Sequence, residues 1–242
     1  MKSYSNTYIF MFSTIMVLIV AVLLSFVAEQ LKPIQQKNIE VEKKLDILRS
    51  VGQATEVDEV KNKDAYVEEE YNTFITSTFA IDINGQEQDS VDAFGIDLKV
   101  ELSKDPEQRE LPVYIYTASD SSKKFIVPVR GTGLWGPIWG YVSFQEDLNS
   151  IYGAIFKHEK ETPGLGAEIN QTWFSDQFEG KKIFDDQGKF VSIRVMKGGA
   201  DPADEHAVDA ISGGTITSTA LQEMLKNCLV NYETYFKSFN DN

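Results

Sequence analysis

Asp209-Ala210-Ile211-Ser212-Gly213-Gly214-Thr215-Ile216-Thr217-Ser218 is the stretch from which the rest of this chain is best read. Two adjacent glycines lie among hydroxyl side chains, and the run leads into Thr219–Leu229, whose apolar spacing predicts a helix. Gly213 and Gly214 let the backbone turn and let a large group approach closely. Unpaired N–H groups at the start of a helix favour an anion. The stretch therefore offers a seat for a phosphate, with hydroxyls from Ser212, Thr215, Thr217 and Ser218 nearby. The same residues also suit an ordinary loop-to-helix junction, because Ser and Thr are common caps.

The chain has 242 residues, 42% of them hydrophobic, and a formal net charge of −14. That is enough for one domain of ordinary size with a short appendage. The acidic balance argues against nucleic acid as a partner, since a phosphate backbone requires a basic footprint. The single cysteine, Cys228, excludes an internal disulfide framework and falls in the apolar periodicity of a late helix, as a buried thiol would.

Tyr8 to Ala28 contains no charged residue and is long enough to span a bilayer core and contact membrane lipid. The run is too long, and its small residues too poorly placed, for a cleaved signal peptide, so an uncleaved single-pass anchor is expected. Lys2 precedes it, whereas Lys32, Lys37, Lys43 and Lys44 follow, interleaved with Glu29, Glu40, Glu42 and Asp46. Counting Lys and Arg alone puts the C-terminal flank in the cytoplasm.

Beyond the anchor, Ile34, Ile39, Val41, Leu45 and Leu48 pattern an amphipathic helix from Leu31 to about Val51. Gln53 to Tyr71 is polar and acidic, either a linker or a surface helix. Asn84-Gly85 turns between two extended pieces, Phe79–Ile83 and Gln86–Val91. Strands are expected at Phe94–Val100, Leu111–Thr117, Lys124–Val129, Ile138–Phe144 and Ile151–Phe156. A charged loop, Glu101–Glu110, separates the first two, and Asp147-Leu148-Asn149 turns between the last two. Trp173–Phe178 reads as a short helix. Asp186-Gln187-Gly188 marks a hairpin between Ile183-Phe184 and Phe190–Val195. A final helix is expected over Thr219–Phe239. Thr219 and Gln222 fit a capping box, and Ala220, Leu221, Met224, Leu225, Cys228, Leu229 and Tyr232 form its buried face. The sum is an antiparallel-rich α+β domain.

Two further constellations stand out. Gly131-Thr132-Gly133-Leu134-Trp135-Gly136-Pro137-Ile138-Trp139-Gly140 forms a loop whose backbone can lie flat against a planar ligand while Leu134 and Trp135 shield it. Glu161-Thr162-Pro163-Gly164-Leu165-Gly166 follows His158, and its Pro-Gly pair signals a tight turn. Neither His158 nor His206 has the spacing of a metal site, and solvated polar loops account for both.

Asp209 to Thr215 resembles the flavinylation motif of the covalent FMN-binding domain family: Asp, a small residue, any residue, Ser or Thr, Gly, Ala, Thr. Gly214 occupies the usual Ala position, which keeps the site small. The Gly131–Gly140 and Glu161–Gly166 segments are similar to two other elements of the same family, and all three occur in the family's order. With the N-terminal anchor, the likeness covers nearly the whole chain. It is nearest to the C subunits of sodium-translocating NADH:quinone oxidoreductases, with the G subunits of Rnf electron-transport complexes as related proteins.

The resemblance implies FMN held covalently through a phosphoester to Thr215. It also implies cofactor contacts from Leu134, Trp135, Glu161, Thr162, Leu165, Gly166, Asp209, Ser212, Gly213, Gly214, Ile216 and Thr217. Glu161 would orient its loop or the neighbouring N–H groups, without acting as a general base. The phosphodiester charge would be offset by helix N–H groups, with Arg194, Lys197 and Lys182 as candidate cations. The expected organisation is a tail at residues 1–7, a transmembrane helix at 8–28, an amphipathic helix and linker at 29–70, and an FMN-binding domain at 71–242. The implied role is an electron carrier in a bacterial inner-membrane complex, with its main domain on the periplasmic side, opposite to the charge count. Its partners would be the other membrane subunits and a flavin transferase using FAD as donor. A Rnf-type subunit, an anchored non-redox assembly subunit and an independent flavin reductase are the alternatives.

Overall fold

A computed structural model of the chain describes residues 5–88 and 90–240. Lys2 and Asp89, which enter the flank count and one expected strand, lie outside them. The chain divides into two units, one ending at Lys43 and the other starting at Lys44. The first is most of helix α1 (Asn6–Arg49), whose apolar part has a window of mean hydropathy 2.7 and is long and apolar enough to cross a membrane.

In the second unit, helix α2 (Lys63–Phe74) starts with the Asn62 side chain accepting from Ala65 N–H. Strands β1 (Ile75–Ile81), β2 (Glu87–Gln88), β3 (Leu111–Thr117), β4 (Lys123–Thr132), β5 (Pro137–Phe144) and β6 (Ile151–His158) form a single antiparallel sheet. Its order is β2-β1-β3-β4-β5-β6. The β4–β5 register pairs Val129 with Gly140 and Arg130 with Trp139. The β3–β4 ladder ends at Ile126, before Pro128, which has no N–H to donate.

Both faces of the sheet are covered, which is why β4 and β5 read as nearly continuous apolar runs. On one face Val113, Phe125, Val127, Val129, Val142 and Phe144 belong to the main core. They share it with Leu221, Leu225 and Leu229 of helix α5 (Thr215–Leu229) and with Phe236 of helix α6 (Glu233–Asn240). On the other face Tyr114, Tyr141 and Ser143 are buried, as are Ile47, Leu48, Val51 and Val67 of the segment that covers them. Ser143 Oγ donates to the Ser50 carbonyl at 2.6 Å, and Gln53 Nε2 donates to Tyr116 OH at 2.9 Å. The backbones come so close here that a Cβ on Gly153 would stand 2.6 Å from Ser50 O.

Four elements differ from expectation. Phe94–Val100 is not a strand: a 3₁₀ turn at Ala93–Gly95 leads to helix α3 (Leu98–Glu101). Asp97 caps that helix by accepting from Lys99 N–H at 2.9 Å, a local bond that outcompetes strand pairing. The late helix starts earlier, at Thr215, and is broken by a 3₁₀ turn at Val230–Tyr232. Asn231 Nδ2 donates to the Asn227 and Cys228 carbonyls, while Arg109 holds its Oδ1, so the turn tightens there. Thr219 is therefore interior to the helix, not a cap. Its hydroxyl donates to Thr215 O, and Gln222 Oε1 accepts from Val195 N–H.

The Asp185–Gly188 turn forms, with the Asp185 carboxylate accepting from the N–H groups of Gln187 and Lys189. Only the Phe184–Phe190 bridge pairs across it. The following residues instead give β7 (Arg194–Met196), which runs parallel to β8 (Ala207–Asp209). The whole is an α+β fold, with a long apolar N-terminal helix followed by a domain rich in antiparallel sheet. Helix α4 (Thr172–Ser175) and the 3₁₀ turn at Asp176–Phe178 replace the single short helix expected there.

Candidate functional site

β8 ends at Asp209 and the chain folds over Ile211–Gly214 before entering α5. Gly213 takes φ +77, a left-handed conformation that disfavours side chains, and a Cβ there would lie 2.6 Å from Leu165 Cδ2. Ser218 Oγ accepts from Ile211 N–H at 3.1 Å, tying the loop back onto the helix. The first regular helical bond runs from Ser218 N–H to Gly214 O. The N–H groups of Thr215, Ile216 and Thr217 thus have no intrahelical acceptor and form the positive end of the helix.

Those residues open onto a cavity of about 420 Å³, within the usual range for small-ligand sites of ~300–1,000 Å³. Its lining comes from three separate segments. Leu134 and Trp135 come from the β4–β5 turn, Glu161, Thr162, Leu165 and Gly166 from the loop after β6, and Gly213 to Thr217 from the start of α5. Asp209 and Ser212 do not line it. The Asp209 carboxylate instead accepts from Ala200 N–H at 2.6 Å and its own N–H donates to Gln177 Oε1, so it shapes the approach to the loop.

The hydroxyls also separate. Thr217 Oγ1 donates to Glu161 Oε2 at 2.6 Å and Ser218 holds Ile211. Of the hydroxyls on α5 that line the cavity Thr215 is therefore the exposed one, with Thr162, also exposed, in the lining from the loop after β6. Leu134, Trp135, Leu165 and Ile216 are 42–62% exposed and give the cavity an apolar rim. Glu161 is 4% exposed. Its Oε1 accepts from Trp135 N–H at 2.8 Å, and its own N–H donates to His158 Nδ1 at 3.2 Å. The candidate cations are not in the lining: Arg194 pairs with Asp204 and Lys182 with Glu205. Among the described residues no group of three or more His, Cys, Asp or Glu is placed to hold a metal ion.

The site suits a phosphorylated, flat, apolar ligand. Gly213 and Gly214 let the turn pack tightly against its neighbours, since a Cβ on Gly214 would meet Ile211 Cγ2 at 2.9 Å. The free N–H groups at the start of α5 suit an anion, and the apolar rim suits a ring. Sequence reasoning missed two neighbours of Glu161: Gly133, remote in the chain, whose missing side chain leaves room for Oε1, and His158, three residues before it, whose Nδ1 accepts from Glu161 N–H.

Fold and site together define a flavin-nucleotide-binding α+β domain, and residues 133–230 match the FMN-binding domain family. A crystal structure of the C subunit of the Na(+)-translocating NADH-quinone reductase from Parabacteroides distasonis is 40% identical. It covers 85% of this chain and 96% of its own, with a TM-score of 0.74. This chain belongs to that family of C subunits. The crystal structure of Shewanella oneidensis NqrC is 25% identical, covers 83% of this chain and 99% of its own, and has a TM-score of 0.68. The C subunits of the same reductase from Vibrio anguillarum and Neisseria meningitidis are each 43% identical, over 110 and 112 residues. The matched region spans less than half the length of these curated relatives, 43% and 42% respectively.

Proposed function

We propose that this chain is the electron-carrying subunit of a membrane-bound, sodium-pumping NADH:quinone oxidoreductase, with FMN attached to Thr215 through a phosphoester. The observation that carries the attachment is the Thr215 hydroxyl, exposed at the first residue of α5, beside helix N–H groups and under an apolar rim. In the maturation step the Thr215 Oγ1–P bond forms as the pyrophosphate bond of FAD breaks. AMP leaves and the hydroxyl proton is released, with a flavin transferase as catalyst.

When bound, FMN supplies the redox chemistry. The protein's residues do the rest. The N–H groups of Thr215, Ile216 and Thr217 offset the phosphodiester charge, Leu134 and Trp135 cover the ring, and Leu165 fills the space above Gly213. No side chain here is asked to move a proton during electron transfer. Helix α1 anchors the domain to the bilayer, with the domain on the periplasmic side and the other subunits of the complex as its partners.

Co-expression with a flavin transferase, followed by intact-mass measurement, tests the attachment. The wild-type chain gains the mass of FMN less one water, and the label maps to the peptide holding Thr215. Thr215→Ala abolishes the gain, whereas Thr215→Ser, which keeps the hydroxyl, retains it. An unlabelled wild type, or a labelled Thr215→Ala, overturns the proposal.

A further inference from the structure

The three segments that build the cavity meet at one buried carboxylate. We propose that Glu161 is a positioning residue. Its carboxylate clamps the Leu134–Trp135 turn to the attachment helix, and its charge lowers the reduction potential of the bound flavin. This rests on the FMN reading above and deepens it.

Both oxygens of Glu161 act as acceptors, Oε1 toward Trp135 N–H at 2.8 Å and Oε2 toward the Thr217 hydroxyl at 2.6 Å. A carboxylate accepts at both oxygens, and both of these partners can donate. Its surroundings are shaped to it. A Cβ on Gly133 would lie 2.5 Å from Oε1, and a Cβ on Gly166 would lie 2.5 Å from Oε2. Two glycines from two different segments thus leave the space that the carboxylate and its partners occupy.

The clamp joins the β4–β5 turn to the first turn of α5, so it fixes the spacing between the rim over the ring and the hydroxyl that takes the phosphate. The charge is distinctive too. Among the described residues, Glu161 is the only acidic or basic side chain in the lining, which contains no Lys or Arg. A fixed negative charge in a partly desolvated wall acts strongly on a neighbouring redox group and opposes the added electron.

Three full-length variants test this in detergent: Glu161→Gln, Glu161→Ala and Thr217→Val. Glu161→Gln keeps shape and polarity but removes the charge. It folds and acquires covalent FMN, and its flavin midpoint potential moves to a more positive value than in the wild type. Thr217→Val keeps the volume but removes the donor. It acquires FMN more slowly, and Glu161→Ala slows the attachment further. Wild-type attachment rates in Thr217→Val and Glu161→Ala, or an unchanged midpoint potential in labelled Glu161→Gln, overturn the proposal. An unlabelled wild-type chain would instead refute the FMN reading itself, so the two failures are distinguishable.

Discussion

Two glycines of the Glu161–Gly166 element separate space from backbone conformation. Gly166→Ala places a Cβ against Thr217 Oγ1, 2.5 Å from Glu161 Oε2 and 3.0 Å from Thr217 Cβ. Both neighbours are buried and bonded to each other, so neither can swing into solvent. Relief comes either from breaking their hydrogen bond, worth ~1.5–3 kcal/mol when one partner is charged, or from moving the loop, at ~1–3 kcal/mol for overpacking. Either route costs about 1–3 kcal/mol, which for a domain of this size lowers Tm by about 2–12 °C. Gly164→Ala is the control. Gly164 has φ +76 with nothing within 4 Å of an added Cβ, so the cost is left-handed strain alone, ~1–2 kcal/mol. Thermal melts of the full chain combined with intact-mass yield of the flavin adduct read both effects. Gly166→Ala loses stability and most of its attachment, while Gly164→Ala keeps attachment at the wild-type yield. The space argument fails if Gly166→Ala melts no lower than Gly164→Ala and is labelled as fully.

Further outcomes can be measured on the same chain. Ser143→Ala removes the donor to Ser50 O and Gly153 O and orphans buried acceptors. It should cost about 1–3 kcal/mol in urea unfolding, and an unchanged midpoint would contradict this. Burial pushes the Cys228 thiol up to about 11 from 9.0, so the unfolded chain loses that proton first. Stability therefore falls as pH rises from about 9 to about 11, by on the order of 2–3 kcal/mol. The buried phenols of Tyr114, Tyr141 and Tyr232, also raised by desolvation, extend the decline at higher pH. Denaturation curves of Cys228→Ala should lose the slope between pH 9 and 11; an identical slope would refute the assignment. A C-terminal alkaline phosphatase fusion should be active if the domain lies in the periplasm, and an inactive fusion beside an active cytoplasmic reporter would reverse that orientation.

The long apolar N-terminal helix was legible because a continuous apolar run needs only its own length and composition. The central strands were legible because burial on both faces leaves uninterrupted apolar runs at Lys124–Val129 and Ile138–Phe144. The glycine-hydroxyl turn at Asp209–Thr215 and the Pro-Gly turn at Pro163-Gly164 were readable as local chemistry, and family likeness tied both to one cofactor. The sequence misled where a local bond or a distant partner decided the outcome. The Asp97 cap turned an apolar run into a helix, and Arg109 and Asn231 broke a helix that periodicity would have continued.

Local pattern alone determined which segments are apolar, where the chain turns, and that a hydroxyl follows two glycines at a helix start. Tertiary packing decided which hydroxyl of the stretch is both exposed and in the cavity lining, since Thr217 is bonded to Glu161, Ser218 to Ile211, and Ser212 lies outside the lining, leaving Thr215. It also decided that Glu161, Trp135 and Thr217 meet. Hydrogen bonds between residues 26 and 56 positions apart depend on how the sheet and α5 pack, which local sequence periodicity does not encode.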